Sequence, residues 1–145
     1  MKHVSVFLIL FMVGISTFAN LQVEKGAISI TIKGIENTGG IMMIALFKEE
    51  DKFLKVPSYS REVVVSNETE IEVIFKDIPY QKYALSIYHD LNENRELDSN
   101  LIKIPKEPVG FSNDYFPKFG PPKFKNAAFD LNQDDISMTV NLRSY

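Results

Sequence analysis

Short runs in which apolar and polar residues alternate recur along this chain, and they restrict its fold more than any other feature. Ile28, Ile30 and Ile32 are separated by single residues. Alternation of period two is typical of a strand with one buried face. Similar runs cover residues 70–75, 83–89 and 136–142, and residues 61–66 are centred on three valines. Residues 41–47 are apolar throughout, which predicts a strand buried on both faces.

Strands at this spacing, without a convincing helix, predict an all-β fold, an antiparallel β-sandwich of about seven strands. A small, partly open barrel is the alternative. The tight connection at residues 67–69 predicts a hairpin between strands 61–66 and 70–75. Residues 48–52 are charged and predict one helical turn. The predicted core comprises Ile44, Leu46, Val73, Leu85, Ile87 and Val140.

The beginning of the chain has the layout of a secretory signal peptide. Lys2 gives a positive start, residues 4–18 are mostly apolar, and Thr17 and Ala19 would stand at −3 and −1 of a cleavage before Asn20. A buried first element and a retained membrane anchor are the alternatives, but the apolar run is short beside the about 20 residues that a span needs. We therefore expect an exported protein, periplasmic or extracellular.

Removal of residues 1–19 as the signal peptide leaves residues 20–145, a length that predicts one domain. The chain has no cysteine, which excludes a disulfide framework, a thiolate metal site and a cysteine nucleophile. Its formal net charge is −3 and it has no basic stripe, so nucleic acid is not an expected partner. We expect a small ligand, a glycan or an envelope protein as partner, and no membrane span after signal cleavage.

One loop carries oxygen-bearing side chains at every second position: Asp90, Asn92, Asn94, Glu96 and Asp98. Ca²⁺ takes about six to eight oxygen ligands, and the start of the loop matches the first half of the EF-hand pattern. Arg95 stands where that pattern has Gly, and Leu101 stands where it has the closing Glu. The sequence thus predicts a Ca²⁺ site formed by these five residues. The alternative is an Asx-rich turn whose side chains bond their own backbone.

Between His89 and Ile136, prolines, glycines and aromatic residues accumulate with weak periodicity. Disordered segments have few aromatic residues, so we expect this connection to be ordered and to pack across one end of the sheets. Its candidate ligand surface comprises His89, Glu107, Phe111, Asn113 and Phe124. The alternatives are a small second core for the aromatic residues and a packed structural role for His89.

No catalytic residue and no organic cofactor is predicted. One histidine remains after cleavage, and neither a Ser-His-Asp triad nor a metal–histidine cluster can be assembled around it. A carboxylate pair among Asp90, Asp98, Glu107 and Asp114 leaves a small hydrolase as a minor alternative. The favoured function is an exported binding or structural module of unknown ligand. The alternative is an assembly partner in an envelope complex that uses sheet edges or the aromatic residues.

Several blocks of the chain together resemble one family. They are Ala45-Leu46-Phe47, Tyr83-Ala84, His89-Asp90-x-Asn92-x-Asn94, Leu97-Asp98, Glu107-Pro108-x-Gly110-Phe111-Ser112-Asn113, Pro121-Pro122-x-Phe124 and Ala128-Phe129. The resemblance is to an uncharacterised exported bacterial family, the domain of unknown function two-one-four-one. It implies an immunoglobulin-like or transthyretin-like sandwich and export, and it implies no established activity. Gln81 and Arg95 stand where that family usually has Gly.

Overall fold

A computed structural model describes residues 22–48, 53–118 and 120–145. The predicted signal peptide and residues 49–52 of the predicted helical turn lie outside the described residues. The described part contains eight strands: β1 Lys25–Lys33, β2 Ile41–Lys48, β3 Tyr59–Val64, β4 Glu70–Pro79, β5 Gln81–Asp90, β6 Val109–Phe111, β7 Ala128–Leu131 and β8 Asp135–Asn141. A 3₁₀ turn spans Ser112–Asp114, and the four-residue helix α1 spans Phe124–Ala127. Neither helix is long and apolar enough to cross a membrane.

The strands form two sheets, which confirms the predicted all-β sandwich. One sheet has the order β4-β1-β8 and the other β3-β2-β5-β6, with β7 also pairing with β5. Neighbouring strands are antiparallel except β1 and β8, which run parallel with Ile30 opposite Met138. The strand number exceeds the predicted seven because the long connection after β5 contains β6 and β7. These strands extend the edge of β5 instead of packing only across one end of the sheets.

The apolar alternation places one side of each main strand between the two sheets. All six predicted core residues, Ile44, Leu46, Val73, Leu85, Ile87 and Val140, are buried, with at most 7% of their surface exposed. They belong to one cluster that draws residues from both sheets. Burying a side chain of this size stabilises the fold by about 1.5–3 kcal/mol. The predicted phases of these strands are therefore correct.

The predicted hairpin between residues 61–66 and 70–75 is wrong. β3 pairs with β2, placing Glu62 opposite Met43, whereas β4 pairs with β1 in the other sheet. The connection crosses between the sheets at Val65, whose side chain is buried and whose N–H donates to the carbonyl oxygen of Gly40 at 3.0 Å. Because the chain crosses here, β4 lies in the sheet opposite β3, and the apolar side of β4 faces the shared core.

The outer face of the five-stranded sheet carries a second, smaller core formed by Ala84, Val109, Phe111 and Ala127. The Phe53 ring packs edge-on against Phe47 and Phe124, with centroid distances of 5.3 and 5.7 Å. The aromatic residues of the long connection thus contribute to a second core, as the alternative interpretation held. The cover is incomplete, because Met43 and Ala45 of β2 are only half-buried.

Candidate functional site

The loop after β5 is closed by the carboxylate of Asp90. This side chain is fully buried at the end of the strand. Its Oδ1 accepts the backbone N–H of Asn94 at 3.3 Å, and its Oδ2 accepts that of Arg95 at 2.6 Å. Hydrogen bonds to an ionised acceptor are stronger than those between neutral groups. Both oxygens of the first predicted cation ligand are therefore engaged in shaping the loop.

Glu107, which lies just before β6, holds the same loop from the other side. Its side chain is buried, with Oε1 accepting the N–H of Leu91 at 3.1 Å and Oε2 accepting that of Asp98 at 3.0 Å. A buried carboxylate is stable only when it is well hydrogen-bonded. Glu107 therefore acts as a bridge between the two ends of the loop rather than as part of an open ligand surface.

The two asparagines of the loop bond the backbone two residues ahead. Asn92 Oδ1 accepts the N–H of Asn94 at 3.1 Å, and Asn94 Oδ1 accepts that of Glu96 at 2.7 Å. Asn92 also donates its Nδ2–H to Asp98 Oδ2 at 2.7 Å. These are Asx-turn contacts, and they give the loop the geometry of the alternative interpretation. Within the described ranges, no group of three or more His, Cys, Asp or Glu side chains is arranged to hold a metal ion.

Arg95, which stands where the EF-hand pattern has Gly, takes up a backbone conformation that glycine favours. Its φ is 63°, in the left-handed region, which costs a residue with a Cβ about 1–2 kcal/mol. Its Nε forms an ion pair with Glu62 Oε2 on β3 at 3.3 Å, and its carbonyl accepts the Tyr88 hydroxyl at 3.0 Å. The turn therefore forms without glycine, and the Arg95 side chain ties the loop to the sheet.

His89 is a packed structural residue. Its ring is fully buried, and Nε2 lies 2.7 Å from the carbonyl oxygen of Gly39. A carbonyl only accepts, so Nε2 carries the hydrogen. The backbone N–H of His89 donates to the carbonyl of Pro108 at 3.0 Å, while Nδ1 has no hydrogen-bond partner among the described residues.

The block from Glu107 to Asn113 anchors the long connection to the sheets. Ser112 Oγ accepts the N–H of Leu85 at 2.9 Å and donates to the Ala127 carbonyl. Asn113, with a φ of 62°, donates its Nδ2–H to the Ala128 carbonyl at 2.9 Å. A Cβ at Gly110 would lie 2.6 Å from Val140 Cγ1, so that position has no room for a side chain.

The five residues of the predicted ligand surface do not form one open surface. His89, Glu107 and Phe111 are buried, Phe124 is half-buried in the second core, and Asn113 is exposed. The four carboxylates considered for hydrolysis also have structural partners. Asp90, Asp98 and Glu107 make the loop contacts described above. Asp114 accepts the N–H of Asn141 at 3.1 Å and pairs with Arg143.

A groove of about 610 Å³ lies on the outer face of the five-stranded sheet. Its floor includes Met43 and Ala45 of β2 and Ser86 and Tyr88 of β5. Its walls come from segments at residues 54–57, 95–105 and 120–122, together with Phe111 and Tyr145. Small-molecule sites commonly have volumes of about 300–1,000 Å³ and a mainly apolar lining. Sequence reasoning missed this groove, although the apolar outer positions of β2 signalled a second covered layer.

Two tyrosines, Tyr88 and Tyr145, line the groove, and the hydroxyl of Tyr88 is engaged. Burial, followed by the negative charge of Asp90, raises the pKa of Tyr88. The phenol hydroxyl donates its hydrogen to the Arg95 carbonyl. Tyr88 therefore joins the floor of the groove to its wall at the position where the loop crosses the sheet.

Comparisons with curated proteins and with solved structures gave no match. One family model matches residues 30–139, from the middle of β1 almost to the end of β8. Its description is "Uncharacterized protein conserved in bacteria (DUF2141)". The match covers both sheets, the oxygen-rich loop and the Glu107–Asn113 block. The chain therefore belongs to this uncharacterised bacterial family.

Proposed function

We propose that this protein is an exported binding module that holds a small, largely apolar molecule in the outer-face groove. The observation that carries the proposal is the incomplete cover of the sheet at Met43 and Ala45. Apolar floor area that remains accessible to water favours the binding of an apolar surface. Export is supported by the signal-like layout of the first residues and is tested separately in the Discussion.

The walls support a preformed site. The loop wall is held by the buried Asp90 and Glu107 carboxylates, and Arg95 is bonded to both Glu62 and Tyr88. A site that needs little ordering on binding loses less affinity to conformational entropy. The groove thus provides a function for a loop whose own polar side chains are directed mostly to its backbone.

Nile red, a neutral apolar fluorophore, is a suitable probe of the groove. All eight strands lie within residues 25–141, so a chain starting at Asn20 contains the complete sandwich without the apolar N-terminal run. We expect this chain to bind Nile red saturably. Ala45→Trp fills the floor and should weaken binding at least about tenfold, the equivalent of about 1.4 kcal/mol.

Ile74→Trp is the matched control, because Ile74 is exposed on β4 in the other sheet. It adds the same ring away from the groove and should leave the affinity unchanged. Circular dichroism and urea unfolding establish that both variants are folded. Equal Nile red affinity in the wild type and a folded Ala45→Trp variant would rule out the groove as the binding site.

A further inference from the structure

We infer that the groove ligand is an amphipathic anion, with an apolar body against the floor and a carboxylate or phosphate head held by lysines of the walls. This inference rests on the proposed function and adds the charge of the ligand. It is carried by the charged residues of the lining, which are Lys55, Arg61, Glu62, Arg95 and Lys103.

Three of these five charged side chains already have partners within the protein. Arg95 and Glu62 form an ion pair. The Arg61 guanidinium lies over the Phe75 ring at 5.2 Å, and Phe75 belongs to the core on the opposite side of the sheet. The Arg61 side chain is therefore directed away from the groove, and Arg61 contributes mainly backbone atoms to the lining. Lys55 and Lys103 remain, and neither is in an ion pair within the described part of the chain.

Among the described side chains that line the groove, the net charge has the opposite sign to that of the whole molecule. The full chain has a formal net charge of −3. In the groove, the Glu62 carboxylate is neutralised by Arg95, and two lysines remain without a carboxylate partner among the described residues. On a protein that is acidic as a whole, Lys55 and Lys103 favour the binding of an anion beside them through charge complementarity.

The backbone that carries Lys103 is fixed by hydrogen bonds. Its N–H donates to the Asn100 carbonyl at 2.9 Å, and Asn100 Oδ1 accepts the N–H groups of Ile102 and Ile104 at 3.1 and 3.0 Å. Ser99 and Pro105 form a bridge at the base of this turn. The lysine therefore projects from a preorganised turn in the groove wall, and only its side chain must be ordered on binding.

The floor limits the rest of the ligand to apolar chemistry. Of the four floor residues, Met43 and Ala45 offer no hydrogen-bonding side chain, and the Tyr88 hydroxyl already donates to the Arg95 carbonyl. Ser86 supplies the remaining hydroxyl. One serine hydroxyl cannot pair with the several hydroxyl groups of a sugar, so a sugar laid on this floor would leave most of them unsatisfied, which costs free energy. An alkyl or aromatic body avoids that cost, while the anionic head of the ligand lies beside Lys55 and Lys103. Lysine acts there as a compact charge without the planar fork of arginine.

Displacement of Nile red from residues 20–145 tests the sign of the ligand charge. The competitors are decanoate, decyl phosphate, decanol and decylammonium, which share one alkyl chain and differ in the head group. We expect one or both anions to displace the probe at concentrations about fivefold lower than decanol, since an exposed ion pair contributes up to about 1 kcal/mol. Decylammonium should compete less well than decanol. The better anion identifies the head group.

Lys55→Gln and Lys103→Gln should each reduce the advantage of the anions while leaving decanol unchanged. Lys76→Gln is the control, because Lys76 is exposed on β4 in the other sheet. If decanol matches both anions, or if their advantage survives in the Lys55→Gln/Lys103→Gln double variant, the inference is overturned while the groove remains a binding site. Absence of Nile red binding to the wild type would instead overturn the proposed function.

Discussion

Asp90 and Glu107 are both buried, and each carboxylate accepts two backbone N–H groups of the same loop. Asp90 bonds Asn94 and Arg95, and Glu107 bonds Leu91 and Asp98. The four bonds fix the loop at its beginning, middle and end. This arrangement explains why an exposed segment with little apolar content has one defined path across the sheet.

Replacing Glu107 by Gln should destabilise the protein by about 1.5–3 kcal/mol, the range for a hydrogen bond to a charged group. One accepting oxygen becomes an NH₂ group that faces a backbone donor. Urea unfolding measures the change. Glu96→Gln is the control, since the Glu96 side chain is exposed, and it should change stability by no more than about 0.5 kcal/mol. Similar stability of the two variants would contradict the bridging role of Glu107.

Arg95→Gly should be more stable than Arg95→Ala by about 1 kcal/mol. Both variants lose the ion pair with Glu62, but only glycine removes the Cβ that is unfavourable at a φ of 63°. Part of the gain is lost because glycine gives the unfolded chain more conformational freedom. Thermal or urea unfolding of the two variants measures the difference. An alanine variant as stable as the glycine variant would mean that the turn relaxes out of the left-handed conformation.

Calcium binding at Asp90, Asn92, Asn94, Glu96 and Asp98 remains a prediction, and melting curves with chelator and with millimolar calcium test it. If calcium binds only the folded state, it adds about 2.7 kcal/mol of stability at a concentration a hundredfold above its dissociation constant. Asp98→Ala should abolish the rise, because it removes a predicted ligand with an exposed side-chain bond. Glu72→Gln, on exposed β4 surface, should retain it. A wild-type melting point that ignores calcium would eliminate the site.

Protonation of Asp114 should make the protein less stable in acid. Burial raises its pKa, but hydrogen bonds from Asn141 and the charge of Arg143 outweigh burial and leave the pKa below its ordinary value of 3.8. A lowered pKa in the folded state stabilises the protein above the unfolded-state pKa, and this contribution is lost as the pH falls through the folded-state pKa.

Asp114→Asn, which cannot titrate, should therefore lower stability by a constant amount near neutral pH. The difference from the wild type should shrink as the pH falls below about 4, near the ordinary aspartate pKa. Urea unfolding as a function of pH measures this difference. A difference that stays the same down to the acid limit of folding would show that the Asp114 charge does not contribute.

Export predicts that the protein isolated from the envelope of its native host begins near Asn20. The cleavage follows from small residues at Thr17 and Ala19 after an apolar run. Mass spectrometry of the purified protein determines the first residue. Arg or Lys substituted in the middle of the apolar run should block processing, whereas Val13→Leu should not. An intact Met1 in the envelope fraction would contradict the prediction.

Local sequence was sufficient for β1 to β5 and β8, but not for β6 and β7 in the long connection, and it offered the Asx turn of the loop as one of two interpretations. The inward positions of β5, such as Leu85 and Ile87, could be predicted because successive side chains on a strand point to opposite faces. The Asx contacts of Asn92 and Asn94 reach only two residues ahead, so they too are local. Family membership was also recognisable from short blocks, which the family model matching residues 30–139 confirms.

Tertiary structure alone decided the strand partners and the groove. β3 and β4 are adjacent along the chain but lie in different sheets, because burial in a shared core outweighs proximity in sequence. The groove brings together residues as distant as Ala45 and Lys103, which alternation assigns to an outer face and a loop. Periodicity specifies which side of a strand is apolar. What covers that side depends on where the remaining chain packs, and this determines whether an apolar face becomes core or binding site.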